Sequence, residues 1–440
     1  MFAGVLVSIN ANKPFIGQHD WNGVVYGQQA KNFLRFGYFP LKFGGTLATA
    51  DILPKERKYL THYTSVLPIL ISFSYRLFGV SEWSTRLVPA AASLASVFLV
   101  ILLGRELISF RAGIIAGILM AVTPMFIYYG KNPVHEVVLL PFALLAFYSY
   151  LRWRRGRERK WWAILLVALV LAMLIGWSGY YAAGLIAGHG FLTGGKERAR
   201  FLVLPALTAG LFLAFLFHVS VFSPDVGNEL QGAVTARMGG GGFGMKEFMA
   251  RELRYSINLF TVILLELAGI WTIGLLIKLT KILPQVVFSH CEERQRRGNL
   301  KTRLPRSFQS LAMTVSDQIL LGLIGIFGIT HVLLFRDAGW YHEYLLFPFL
   351  PFVVLAAAGV IEHLLRVFPD LRVRVLIVGF VLTLAASERL GYLQALLKSE
   401  YVRDIYSEAV EFAKEERWKT ERIPEERDVY FIFYADRKNI

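Results

Sequence analysis

The sequence predicts an all-α integral membrane protein whose apolar helices cross a bilayer ten or eleven times. Of the 440 residues, 55% are hydrophobic and the mean hydropathy is +0.48. Only 18% are charged, against about 25% in soluble domains. These charges are absent from long blocks of sequence and concentrated between them. Blocks of about 18 or more apolar residues are long enough to cross the hydrocarbon core as helices.

Eleven apolar blocks are candidate spans. The first, Met1–Ile9, is too short to cross a bilayer, and we expect it to be the end of a helix that begins upstream. The pair between Trp161 and Leu192 has an alternative as one long tilted helix. The other candidate spans are Arg86–Leu107, Ala112–Tyr129, His135–Leu151, Trp161–Ile175, Gly179–Leu192, Phe201–Val221, Asn258–Ile277, Asp317–Phe335, Tyr344–Leu364 and Val373–Leu390.

The basic loops predict the orientation of these spans. Arg152–Lys160 has six basic residues, Lys278–Arg306 eight, Lys196–Arg200 three and Arg366–Arg374 three. With the spans above, all four loops lie on one side, and the positive-inside rule makes that side cytoplasmic. The same rule accounts for the net charge of +15, so we expect no nucleic-acid partner. The predicted location is the plasma membrane.

The opposite, outer side carries the long segment 10–85, which we call the first loop. Within it, Asn22–Phe36 and Tyr63–Gly79 each combine apolar and polar residues at helical spacing, which predicts two helices lying in the membrane interface. Counting Tyr63–Gly79 as a span would place the basic loop Arg152–Lys160 outside, which the basic asymmetry argues against. With this first loop included, the sequence predicts one transmembrane domain over residues 1–392.

The tail, residues 393–440, changes to mixed charge and is predicted to lie on the outer side. It ends in Val429–Phe433, a run of β-branched and aromatic residues typical of a strand. A strand needs a partner and none follows. We therefore interpret the tail as the start of a small soluble domain that continues beyond the sequence.

Two acids at the outer ends of helices are the candidate catalytic residues. Asp20 follows the first block, and Glu136 opens the span that begins at His135. Two carboxylates in one outer cavity suit proton transfer or a divalent cation, so a metal ion held by Asp20 and Glu136 stays open. The alternatives are structural: Asp20 as a helix cap, and Glu136 as an acid favoured by a helix dipole.

Basic groups near the outer surface are candidates to bind a phosphate. They are Lys58, His62, Lys131, His135, Arg336 and His342. For Lys58 and His62 the alternative is interfacial anchoring, since Tyr59 and Tyr63 lie beside them. The aromatic and charged run Trp340–Tyr344 is either an aromatic belt or the far wall of the cavity that holds the two acids.

The order of several short motifs resembles the GT-C membrane glycosyltransferases of the protein-mannosyltransferase and aminoarabinose-transferase type. The likeness is best over residues 18–152 and weaker afterwards, where His342–Leu346 with Pro348 and Pro351 resembles a late helix of the group. The motifs are Asp20; Tyr26, Ala30, Asn32, Leu34 and Gly37; His62; Leu77-Phe78-Gly79; Arg86-Leu87; Leu103-Gly104-Arg105-Glu106-Leu107; and Ala121-Val122-Thr123-Pro124.

The resemblance implies a GT-C fold and transfer of a sugar from a polyprenyl-phosphate donor to an acceptor hydroxyl at the outer face. It implies Asp20 as the base on the acceptor and Glu136 as the second acid. Lys58, His62, Lys131 or Arg336 would pair with the phosphate. The acceptor class, whether glycan, lipid or protein, stays open.

Three departures from the family pattern separate this chain from its relatives. Asp20-Trp21 stands where Asp-Glu is common, His62-Tyr63-Thr64 where His-Pro-Pro is common, and Glu136 where Asp is common. Two alternatives therefore stay open: an inactive scaffold of the same fold, and a carrier or flippase for a lipid-linked sugar. A carrier would show polar or broken helices near the bilayer midplane, whereas these spans are apolar through the middle and carry their charges at the outer ends.

Overall fold

The computed structural model describes residues 1–223, 226–238, 242–295, 306–423 and 427–436. Part of the basic loop 278–306 therefore lies outside the described residues. Over the described residues the chain is helical, with one two-stranded sheet. The helices are α1 Phe2–Val7, α2 Trp21–Phe36, α3 Val66–Phe78, α4 Glu82–Leu107, α5 Phe110–Val122, α6 Pro124–Tyr129, α7 His135–Gly156, α8 Arg159–Ile175, α9 Ser178–Thr193, α10 Val203–Ser220, α11 Val226–Met238, α12 Met245–Phe260, α13 Val262–Gln295, α14 Arg306–Leu334, α15 Arg336–Tyr341, α16 Leu350–Val367, α17 Leu371–Ser387, α18 Leu390–Lys398, α19 Arg403–Lys414 and α20 Val429–Ala435.

Short 3₁₀ segments and a small sheet complete the secondary structure. The 3₁₀ segments are Pro54–Glu56, Gly195–Leu202, Glu343–Phe349 and Arg417–Lys419. Strands β1 (Gly45–Thr46) and β2 (Tyr59–Leu60) are antiparallel, with Gly45 opposite Leu60 and Thr46 opposite Tyr59. This helical architecture confirms the predicted fold class.

Six helical segments are long and apolar enough to cross a membrane, judged over the described residues. They are Glu82–Leu107, His135–Gly156, Gly195–Ser220, Val262–Thr280, Asp317–Leu334 and Glu343–Val367. Other predicted spans coincide with shorter apolar helices, such as α5 with 13 residues, α9 with 16 and α8 and α17 with 17 each. The predicted pair after Trp161 is two helices, because Gly176-Trp177 interrupts them.

The helix pair α4–α5 shows how the bundle packs. Ser81 caps α4 by accepting the backbone N–H of Ser84, whose hydroxyl in turn accepts the backbone N–H of Ser81. A Cβ atom on Gly104 of α4 would lie 2.6 Å from the Cα atom of Gly113 in α5. Such backbone approach at small residues is the usual way in which membrane helices pack, since lipid offers no hydrophobic driving force.

The first loop contains the two predicted interfacial helices, α2 and α3. Asn32 of α2 donates to the carbonyls of Thr46 and Ala48, which fixes the strand β1 against that helix. Tyr75 of α3 hydrogen-bonds Thr85 at the start of α4 over 2.5 Å. Most of α2 is buried, so its environment is protein on several sides rather than one lipid face.

The tail packs against the first loop. The prediction of a strand at Val429–Phe433 was wrong, because this run forms the helix α20. Asp428 caps it by accepting the backbone N–H of Tyr430. Helix α20 lies against α2 and α19. A strand without a partner would bury unpaired backbone groups, whereas a helix satisfies them internally.

Two cations of α2 hold the end of α20. Arg35 pairs with Asp436 over 2.6 Å, and both side chains are 2% exposed. Lys31 donates to the carbonyls of Phe433 and Asp436. Positive charge at a helix C-terminus is favourable because the last carbonyls have no intrahelical donors. The tail is thus joined to the first loop by buried polar contacts.

Candidate functional site

A cavity of about 610 Å³ lies between the first loop and helices α7, α9, α11, α14 and α15. Its size is within the range of ligand pockets in proteins. Its described lining includes five of the nine histidines of the chain and nine other aromatic residues. The histidines are His19, His62, His135, His331 and His342. The other aromatic residues are Trp21, Tyr26, Tyr63, Trp177, Tyr180, Tyr181, Phe212, Phe335 and Tyr344.

Glu136 is the single acidic side chain among the described residues that line this cavity. It lies in the first turn of α7 and is 4% exposed. No described side chain hydrogen-bonds its carboxylate, which faces a cavity rather than a partner. The N-terminus of a helix favours a carboxylate through its free N–H groups. The arrangement leaves Glu136 available to a bound molecule.

His135 forms the wall beside Glu136. Its ring stacks on Tyr63 with centroids 4.0 Å apart and planes 13° apart. Its Nδ1 atom is 3.2 Å from the Tyr26 hydroxyl, and no described residue bonds its Nε2 atom. The ring is thus fixed by two aromatic neighbours and has one nitrogen free for a ligand.

Arg237 of α11 is the single Lys or Arg among the described residues that line the cavity. Arg237 was not predicted as a site residue from the sequence, because it belongs to no motif and lies far along the chain from the predicted site. Burial, helped by the charge of Arg237, lowers the pKa of His62. Burial lowers the pKa of His342 to about 4, with His19 and Arg237 adding to the shift. Both imidazoles are therefore neutral at pH 7.

His19 and Glu343 join the first loop to the late helices. The Nε2 atom of His19 lies 2.8 Å from a Glu343 carboxylate oxygen. Tyr129 donates to the same carboxylate over 2.6 Å, and Gln18 over 3.3 Å. His19 has a φ of +58°, a left-handed conformation that is uncommon for non-glycine residues. Glu343 belongs to the run Trp340–Tyr344 but was not itself predicted as a site residue, because its partners lie more than 200 residues away.

Asp20 lies outside the large cavity and lines a pocket of about 20 Å³. Its carboxylate pairs with Arg86 over 3.2 Å and accepts the backbone N–H of Gly17 over 2.7 Å. Arg86 also donates to the carbonyls of Ala11 and Lys13. The structure therefore places Asp20 and Glu136 in different cavities.

Lys131 lines the small pocket with Asp20. Its ammonium group donates to the carbonyl of Ile127 over 2.6 Å. Burial lowers the pKa of Lys131 to about 7, and the charge of Arg86 acts in the same direction. Close to neutral pH this side chain is thus divided between its charged and neutral forms.

The eight predicted site residues fall into three groups. Four of them, Glu136, His62, His135 and His342, line the large cavity. Asp20 and Lys131 line the small pocket. Lys58 is exposed and lines a third cavity of about 380 Å³, and Arg336 is half-buried and lines neither the large nor the small cavity.

The residues around Asp20 and Glu136 do not fit a divalent cation held by both acids. The two carboxylates line different cavities, and Asp20 is already paired with Arg86. Within the described ranges no three His, Cys, Asp or Glu side chains gather as metal ligands would.

Comparison with known proteins finds one family profile that matches part of the chain and solved structures that resemble its fold. The profile of the dolichyl-phosphate-mannose-protein mannosyltransferase family matches residues 64–222. No curated protein sequence matches the chain.

Solved structures resemble the whole chain. One is ArnT from Cupriavidus metallidurans bound to undecaprenyl phosphate, with a TM-score of 0.64, 15% identity and coverage of 98% of this chain and 83% of that chain. Another is the oligosaccharyltransferase of Archaeoglobus fulgidus in complex with Zn and sulfate, with a TM-score of 0.58, 15% identity and coverage of 99% and 61%. This chain therefore spans about three fifths of the archaeal enzyme. The predicted GT-C fold is confirmed.

Proposed function

We propose that this protein transfers a sugar from a polyprenyl-phosphate donor to an acceptor hydroxyl within the large cavity. The observation that carries the proposal is that one aromatic cavity of a GT-C fold contains both Glu136, whose carboxylate has no described side-chain partner, and Arg237, the single guanidinium of its described lining. The structural relatives support a lipid-phosphate donor, since ArnT was solved with undecaprenyl phosphate and the archaeal oligosaccharyltransferase AglB with dolichol-phosphate.

Glu136 takes the role of general base in this proposal. It would accept the proton of the acceptor hydroxyl as the hydroxyl oxygen attacks the anomeric carbon of the sugar. The resemblance assigns this role to Asp20, but the Asp20 carboxylate is bound by Arg86 and by the Gly17 N–H and lines a pocket of about 20 Å³, which leaves no room for an acceptor. We therefore give Asp20 the role of holding Arg86 and the first loop in place.

Arg237 takes the role of stabilising the departing phosphate. The bond between the anomeric carbon and the phosphate oxygen breaks, and the bonding pair leaves with polyprenyl phosphate. Positive charge aimed at this developing charge is often the largest contribution to such catalysis. His62 and His342, neutral and in the same cavity, can donate hydrogen bonds to the phosphate.

Aromatic rings around the cavity suit a sugar ring, whose C–H faces pack on aromatic faces while its hydroxyls bond imidazole nitrogens. The proposed location is the plasma membrane with the cavity on its outer face, opposite the basic loops. The acceptor is a glycan, a lipid or a protein. In the domain division that we propose, residues 1–392 form the catalytic unit and residues 393–440 an outer tail.

The test is donor turnover by the purified protein reconstituted in membranes. Radiolabelled polyprenyl-phosphate sugars are supplied as a panel with a crude membrane acceptor fraction, and loss of donor is followed. We expect turnover of at least one donor, and its loss in Glu136→Gln. The matched control is Glu421→Gln, which removes an exposed carboxylate of the tail.

Two results would contradict the proposal. Full turnover by Glu136→Gln would exclude Glu136 as the base. Uptake of the donor into vesicles without chemical change would identify a carrier instead. A folded protein that neither turns over nor moves any donor would be an inactive scaffold.

A further inference from the structure

A second site lies on the opposite side of the protein from the large cavity, where the basic loops emerge. Its core consists of Trp153, Trp162 and Phe201, and we call it, with Arg157 and Arg200, the arginine–tryptophan cluster. Trp153 belongs to the end of α7, Trp162 to the start of α8 and Phe201 to the 3₁₀ segment before α10. The cluster therefore joins three separate helical segments.

The three rings pack edge to face or tilted. Their centroids are 5.1 Å apart for Trp153 and Trp162, and 5.4 Å apart between Phe201 and each of them. Two arginines lie over this aromatic base. The Arg157 guanidinium is 4.4 Å from the Trp153 ring centroid, and the Arg200 guanidinium is 5.7 Å from Trp153 and 5.5 Å from Trp162. Both charges are thus held above the same tryptophan.

The backbone at Arg157 is in an unusual conformation that serves this placement. Arg157 ends α7 with a φ of +53°, and its N–H donates to the Trp153 carbonyl over 2.7 Å. Glycine is the usual residue there, because a left-handed conformation costs other residues about 1–2 kcal/mol. A long cationic side chain at this position turns back over the aromatic base.

The charge of the cluster is neutralised only in part by the protein. Among the described residues Arg157 has no acidic partner, and Arg200 has one, Glu197, at 3.6 Å. Arg155 differs, because it is paired with both Glu106 and Asp317. The cluster therefore has guanidinium donors to offer to an anion.

The cluster also has a buried donor without a partner. Trp153 is 1% exposed, and no described residue accepts its indole N–H. A buried N–H without a partner costs stability unless a bound group satisfies it. The ring that carries this N–H is the one nearest to the Arg157 guanidinium, at 4.4 Å.

The ends of two apolar segments predict that the cluster lies at the level of lipid headgroups. The membrane segment His135–Gly156 ends beside Trp153, and the segment Gly195–Ser220 begins beside Arg200. Tryptophan is enriched at this level of a bilayer, and clustered Lys and Arg next to a span attract anionic lipids. A soluble anion would be less concentrated here than the phosphates of the bilayer itself.

We propose that the arginine–tryptophan cluster binds the phosphate of an acidic phospholipid in the leaflet that the basic loops face. Arg157 and Arg200 would donate hydrogen bonds to the phosphate, and the aromatic base would keep the two guanidiniums in place. This site is independent of the proposed glycosyltransferase function, because it lies on the opposite side and shares no residue with the large cavity.

The test is lipid retention by the full chain, measured by native mass spectrometry after purification in detergent. Phosphatidylglycerol and phosphatidylcholine are added in turn to the parent protein and to Arg157→Gln/Arg200→Gln. The control variant is Arg403→Gln/Arg417→Gln, which removes two exposed tail arginines. We expect the parent and the control to retain phosphatidylglycerol over phosphatidylcholine, and the cluster variant to bind it about 30-fold more weakly.

Two results would overturn the proposal. One is equal phosphatidylglycerol binding by the cluster variant and the parent. The other is that glycerol phosphate raises the unfolding temperature of the parent protein as much as phosphatidylglycerol does. That result would identify a phosphate site rather than a lipid site. Arg157→Lys/Arg200→Lys guards against misfolding, since it keeps the charge and is expected to retain part of the binding.

Discussion

The two predicted acids, Asp20 and Glu136, have opposite surroundings although both lie near the first loop. Asp20 is paired with an arginine and a backbone N–H in a pocket with room for about one water molecule. Glu136 has no described side-chain partner and faces a cavity of about 610 Å³. The difference shows that an acid near a predicted site is a candidate for proton transfer only when the fold leaves its carboxylate without a side-chain partner.

The largest expected effect comes from Glu136, the acid without a described side-chain partner. Glu136→Gln is expected to lower the turnover number about 10²–10⁴-fold, the usual contribution of a general base, with little change in stability. Asp20→Asn is expected to have a smaller effect on turnover and a larger one on stability. Single-turnover kinetics and thermal unfolding of the two variants measure both quantities. The reverse order of effects would return the base role to Asp20.

The contribution of the Asp20 ion pair to stability can be tested by replacing its partner, Arg86. Arg86→Met leaves Asp20 and several carbonyls of the first loop without their donor. Removing one member of a buried ion pair typically costs about 3–5 kcal/mol, and we expect a loss of this order in the free energy of unfolding. The double variant Arg86→Met/Asp20→Asn should recover part of it. No recovery would mean that the carbonyl contacts of Arg86, rather than Asp20, carry the stability.

The next effect concerns the cation of the large cavity. Arg237→Gln is expected to lower kcat/KM about 10- to 100-fold, the range for losing one hydrogen bond to a charged group. Arg336→Gln is the matched control, because Arg336 does not line that cavity. Equal losses in the two variants would place the phosphate elsewhere.

The smallest expected effect concerns Glu252. Like Glu136, Glu252 has no described side-chain partner, but it lies outside the large cavity. It is 7% exposed, and neither carboxylate oxygen has a described partner. Burial, with the charge of Glu343, raises its pKa from 4.5 to about 8. A carboxyl with a raised pKa in the folded state carries no penalty below pH 4.5, and stability falls as the pH rises towards 8.

Glu252→Gln removes that penalty. The variant should match the parent protein in stability at pH 4 and exceed it above pH 8, by on the order of 1–2 kcal/mol, a part of the full linkage value. Thermal unfolding at the two pH values measures it. A variant less stable than the parent at high pH would show that the charged form of Glu252 has a stabilising partner.

Much of the fold follows from the sequence, because membrane helices depend on apolar length, which is a local property. The two helices after Trp161 were predicted separately, and the structure has them at Arg159–Ile175 and Ser178–Thr193. The strand prediction at Val429–Phe433 failed because tertiary burial against α2 outweighed the β-propensity of that run.

The residues of the candidate site could be predicted less completely from the sequence. Glu136, His62, His135 and His342 were selected from the sequence and line one cavity. Arg237 and Glu343 were not selected, since their roles depend on contacts between residues far apart in the chain. The pairing of Asp20 with Arg86 spans 66 residues, and no local pattern distinguishes an acid that will be paired from one that will not.

The docking of the tail has a consequence for biogenesis. Arg35 and Asp436 are 401 residues apart in the chain and meet in a buried ion pair. Contacts of such separation form late, because the intervening chain must first be synthesised and ordered. Helix α2, which flanks the large cavity, therefore reaches its final packing only after residue 436 has been synthesised. Until then we expect the first loop to stay accessible to the insertion machinery.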